Sequence, residues 1–112
     1  MRKPTERIRD MLEAIERIDR YASRGREPFE HDELIQNWVV HHLEIVGEAA
    51  RSLPDEIRAQ APDIPWADII GMRNILVHDY FGIDERIVWA VVERDLPPLR
   101  KALEQLLERC AK

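Results

Sequence analysis

The sequence predicts an all-α fold, an antiparallel bundle of about five helices, on three observations. Apolar residues recur at three- and four-residue intervals through long stretches, with charges between them. Glycine and proline fall between those stretches. No strand-like alternation of useful length, repeat or low-complexity tract interrupts the pattern.

The first helix is expected over Thr5 to Ala22, where Ile8, Met11, Leu12, Ile15, Ile18 and Ala22 form one apolar face. Ser23 to Pro28 is polar and holds Gly25 and Pro28, so the helix stops and a loop follows. Asp32 is an N-cap for a second helix running to about Leu53. Leu34, Ile35, Trp38, Val39, Ile45, Val46, Ala49 and Leu53 make its wide apolar face, and His42 sits within that face. A histidine so placed is expected to be a core residue with one hydrogen-bonded nitrogen, a catalytic or ligand role being the alternative. A short helix over Pro54 to Ala61 ends at Pro62, and Pro65 opens the next.

That next segment, Trp66 to Phe81, reads as one helix stopped by Phe81-Gly82. With residues advancing about 100° each, Trp66, Ile69, Ile70, Met72, Leu76 and Val77 share an apolar arc, and Arg73 and Tyr80 fall in its middle. An arginine there must pair or snorkel. Gly71, Asn74, Ile75 and His78 form a strip on the flank of the arc. Glycine costs roughly 1 kcal/mol against alanine in a helix interior, which is understandable if a second helix packs closely on Gly71. On one straight helix Arg73 and His78 point roughly 140° apart and converge poorly on one ligand. Two copies packed through the Gly71 strip, with Ile75 on the same face, could bring two of each around one cleft.

Asp84 caps a final helix with Ile87, Val88, Val91 and Val92 on its apolar side. Pro97 and Pro98 should kink or break it, and Leu99, Leu103, Leu106, Leu107 and Cys110 continue the stripe. Cys110 is expected to be packed rather than reactive.

The 112 residues, 45% hydrophobic and 35% charged, fit a single domain over 1–112. A net charge of −5 argues against a broad nucleic-acid surface, so any RNA contact is local and no DNA partner is expected. A lone cysteine, an N-terminus without a signal-peptide run and no stretch near ~20 apolar residues point to a cytoplasmic protein with no membrane partner. His41, Glu44 and Glu48 border the apolar face of the second helix. They read as surface charges, or as support for the site if one of the glutamates pairs with Arg73 and orients it. Metal binding is not expected, because His41 and His42 diverge on a helix and no His-Glu-x-x-His spacing occurs.

The stretch Arg73-Asn74-Ile75-Leu76-Val77-His78-Asp79-Tyr80 resembles the R-x4-H-x-Y signature of the minimal HEPN ribonuclease toxins, the HepT-like family. Ile45-Val46-Gly47-Glu48-Ala49-Ala50, Ile64-Pro65-Trp66, Phe81-Gly82-Ile83-Asp84 and Val88-Trp89 are similar to that family too. The resemblance spans roughly residues 5 to 107. It implies a HEPN-like helical homodimer that cleaves RNA without a metal or other cofactor, as the toxin of a toxin-antitoxin pair. Carried over, Arg73 and His78 match the catalytic pair, and Asn74 matches the polar residue after the arginine. Tyr80 matches the tyrosine that a partner nucleotidyltransferase antitoxin modifies with AMP; its bland reading is a core tyrosine. Two other readings of the chain are a non-catalytic dimerisation or nucleotide- and partner-binding module, and a purely structural dimerisation domain.

Overall fold

The computed structural model describes residues 3–72, 77–78 and 82–111. Helix α1 spans Pro4–Ala22, α2 Arg26–His31, α3 Glu33–Arg51, α4 Asp55–Arg58 and α5 Trp66–Ile70. A two-residue antiparallel ladder, β1 Val77–His78 with β2 Gly82–Ile83, precedes α6 at Glu85–Ala90. A π-helical turn, Val91–Asp95, leads into α7 at Leu96–Ala111. The fold is an all-α bundle in which α1 lies against both α3 and α7.

The core is the apolar stripe of each long helix turned inward. Ile8, Met11, Ile15 and Ile18 of α1 meet Val39, Leu43 and Val46 of α3 and Leu103 and Leu106 of α7, all fully or almost fully buried. Polar ties hold the helices in register. The Trp38 indole N–H donates to the Arg17 carbonyl at 2.8 Å, joining α3 to α1, and Arg100 of α7 meets Asp19 of α1 at 3.0 Å. The second tie is between half-exposed groups, worth at most about 1 kcal/mol, so burial rather than charge holds the bundle.

Both expected aspartate caps form. The Asp32 carboxylate accepts from the Leu34 and Ile35 N–H groups at 2.9 and 3.4 Å, and that of Asp84 from Arg86 and Ile87 at 3.1 and 3.3 Å. Elsewhere the structure corrects the sequence reading. The stretch expected to be a loop before Asp32 contains α2, with Gly25 at φ 105° ahead of it. Pro28 falls in its first turn, where a missing N–H costs nothing. Phe29 of α2 is fully buried, its ring 5.3 Å from that of Trp89, whose indole N–H has no acceptor among the described residues. Gln36 of α3 donates to the Phe29 and Glu30 carbonyls at 3.0 and 3.1 Å, satisfying carbonyls that the end of so short a helix leaves open. Leu34, expected on the apolar face, is 80% exposed because it lies in the first turn of α3 beyond the reach of its neighbours.

The final helix is interrupted where prolines demand it, by a change of register rather than a loop. The Leu96 N–H bonds to the Val91 carbonyl, an i→i−5 step. This wider turn makes room just where the rings of Pro97 and Pro98 would strike the carbonyls one α-turn back. Cys110 is half-buried against the core, as expected of a packed thiol.

Candidate active site

The site region begins where α5 ends, and two contacts set that place. The Trp66 indole N–H donates to the Arg58 and Ala61 carbonyls at 3.1 and 3.0 Å, fastening the start of α5 to the end of α4. At the other end α5 lies on α3 at Gly47: a Cβ added there would sit 3.1 Å from the Ile69 carbonyl oxygen. So close an approach is easiest for a residue without a side chain, since a Cβ there would push the carbonyl back by a few tenths of an ångström. Within the chain, the glycine that serves a close helix contact is Gly47. Among the described residues, a Cβ on Gly71 would meet the Ala67 carbonyl of its own helix, at 3.2 Å.

The single helix expected from Trp66 to Phe81 does not form. Gly71 is the C-cap of α5, its N–H bonded to the Ala67 carbonyl at 3.0 Å, and the backbone at Val77–His78 is extended. Glycine is a weak helix former and β-branched valine suits extended backbone, so the local preferences agree with the break. Gly82, expected to end a helix in the left-handed conformation, instead pairs with His78, and Val77 pairs with Ile83. The angle of roughly 140° between Arg73 and His78 presupposed a straight helix, and it lapses with that helix. Arg73, Asn74, Ile75 and Tyr80 lie outside the described residues. His78 is placed by its backbone alone, in β1 across from Gly82.

Of the supporting residues, Glu44 is half-buried, whereas His41 and Glu48 are exposed. Glu44 and Glu48 flank Gly47 on α3, so they border the surface on which the end of α5 rests. Glu48 lies 3.8 Å from Arg51, a loose pair between exposed groups.

His42 is a core histidine, 3% exposed, with its Nδ1–H donated to the Trp38 carbonyl at 2.7 Å. Its ring lies 4.3 Å from that of Trp38 and edge-on to His41 at 5.0 Å. Burial is the main cause that lowers its pKa below the ordinary 6.5, with the positive neighbours His41, Arg17 and Arg20 adding to it and the carbonyl bond opposing. It is a neutral, structural imidazole near neutral pH. Sequence reasoning overlooked Gly47 as a positioning residue; the signal was a glycine among helix formers in the middle of α3.

Comparison with known proteins bears on this same region. A family model described as Ribonuclease HepT-like matches residues 11–106. Among relatives, "Putative RNase TTE0752" of Caldanaerobacter subterraneus subsp. tengcongensis is 34% identical over 110 residues, covering 97% of this chain and 98% of the relative. "Probable ribonuclease HepT" of Thermococcus cleftensis is 38% identical over 100 residues, 88% of this chain and 91% of the relative. No solved structure matches the chain.

Proposed function

Because the chain belongs to the HepT-like ribonuclease family, we propose that it is an endoribonuclease working through Arg73 and His78. One observation carries this reading: Arg73, Asn74, His78 and Tyr80 stand at the family's motif spacing inside the matched span.

The chemistry is metal-independent transesterification. His78 takes the proton of the ribose 2′-OH, which attacks the adjacent phosphorus; the bond to the 5′-oxygen breaks, and that oxygen is protonated as it leaves. A histidine suits both proton transfers because its unperturbed pKa lies near neutrality. Two His78 side chains at a homodimer cleft can divide the base and acid roles. Arg73 presents a planar fork of donors to the phosphate and stabilises the charge that grows on it. Asn74 orients His78 or donates to the phosphate. The products are a 2′,3′-cyclic phosphate and a 5′-hydroxyl.

Tyr80, two residues past His78, is the site of control. An AMP group on its hydroxyl brings bulk and negative charge to the place the substrate phosphate must occupy. The reading therefore includes a nucleotidyltransferase antitoxin as partner and a toxin-antitoxin role in the cytoplasm.

The test is cleavage of total cellular RNA by the dimeric protein in excess EDTA, with Tyr80 shown by intact mass to be unmodified. Wild type should cut and leave cyclic-phosphate ends, while His78→Ala should not. Products ending in a 3′-hydroxyl would sink the mechanism. The acidic balance of the chain, −5 overall, favours a second reading in which the same dimer binds a nucleotide or protein partner without cleaving RNA. His78→Gln separates the two, since it keeps hydrogen bonding and loses basicity: catalysis is lost, whereas binding survives.

A further inference from the structure

Between α5 and the continuous helix of α6, the π turn and α7 lies a groove of about 370 Å³ that the ribonuclease reading leaves unused. Its floor is aliphatic, made by Ile69, Met72, Leu96 and Leu99, with Ile87 open to solvent at its margin. Pro65 and Pro98 stand on its walls and offer no N–H donors. Three exposed carboxylates, Asp63, Asp68 and Asp95, rim it, and none of them has an ion-pair partner among the described residues.

We propose that this groove is a docking surface for a basic amphipathic helix of a partner protein, one with an aliphatic stripe flanked by Lys or Arg. The aliphatic floor takes the stripe, as helix-in-groove recognition requires, and the rim takes the flanking cations. Charge selects this occupant over the others. Phosphate backbones are repelled by three carboxylates, so the RNA lies elsewhere. A second copy of the chain seated on the same face would set two acidic rims against each other, because an isologous contact repeats each patch on both sides. Met72, on the groove floor, is the residue before Arg73 in the chain. The groove has this character whether or not the chain cuts RNA.

The test uses the full-length ¹⁵N-labelled protein and follows amide shifts on adding a short Leu/Lys amphipathic peptide, its Leu/Glu counterpart, or oligouridylate. The Leu/Lys peptide should shift the amides of residues 63–72 and 87–102 saturably. The triple variant Asp63→Asn, Asp68→Asn, Asp95→Asn should bind it about tenfold more weakly, in keeping with three exposed ion pairs of modest worth. The charge-matched control Glu16→Gln, Glu27→Gln, Glu56→Gln should bind as wild type does. Ala102→Trp, checked for folding by circular dichroism, should fill the groove and block the shifts. The proposal is overturned if both triple variants weaken alike, if the peptide's shifts fall on another face, or if the Leu/Glu peptide or oligouridylate moves the groove amides. It is equally overturned if those amides shift with protein concentration alone, which would give the groove to a second copy.

Discussion

Two positions on α3, the buried His42 and the half-buried Gly47, each make their own prediction. His42 must be neutral to stay in the core. Its pKa is lowered on folding, so the unfolded chain binds more protons than the folded one once the pH falls toward 6.5. Stability is therefore retained above that value and lost progressively below it, levelling off only beneath the depressed folded-state pKa. Urea midpoints for wild type and His42→Gln should diverge between pH 7.5 and 5, with the wild type falling faster; parallel curves would show that His42 is not held neutral. Gly47 is limited by a carbonyl at 3.1 Å rather than by a flexible side chain. Gly47→Leu forces α5 off α3 and should cost about 1–3 kcal/mol in chemical denaturation. Gly47→Ala, where a gain of roughly 1 kcal/mol in helix propensity offsets the crowding, should be near neutral.

At the scale of the element, helix starts were the most readable features and helix ends the least. A capping aspartate acts within three residues, which is why Asp32 and Asp84 could be assigned without a structure. Replacing either by alanine should lower stability by about 1 kcal/mol, measured by thermal or urea unfolding. Helix α2 was unreadable because Gly25 and Pro28 are also the marks of a loop, and what makes the segment helical is distant. Phe29 is drawn into the core beside Trp89, and Gln36 ties off the carbonyls behind it. Phe29→Ala should cost about 3–5 kcal/mol, the penalty of a core aromatic and not of a loop residue. Unfolding within 1 kcal/mol of wild type would mean that α2 is not part of the core. The break of α5 at Gly71 was missed for the opposite reason. The apolar periodicity of Trp66, Ile69, Ile70 and Met72 runs smoothly into Leu76 and Val77, and periodicity carries no mark of where backbone hydrogen bonding stops.

For the molecule as a whole, a net charge of −5 and a proposed cleft shared by two chains set the conditions for activity. If the cleft needs both motif copies, specific RNA-cleaving activity should rise with protein concentration through the range in which dimers form. A dilution series followed beside sedimentation would show it, and constant specific activity into the monomeric range would exclude a shared cleft. The sequence by itself determined the helical class, the aspartate caps, the core placement of His42 and the family motif. Each depends on residues within a turn or two of one another, or on an ordered string of side chains. Only the tertiary structure decided that α2 is a helix, that Gly47 admits α5, that the helix does not run on to His78, and that three scattered aspartates ring one apolar groove. Those outcomes depend on contacts between residues far apart in the chain, where burial and close approach outweigh local preference.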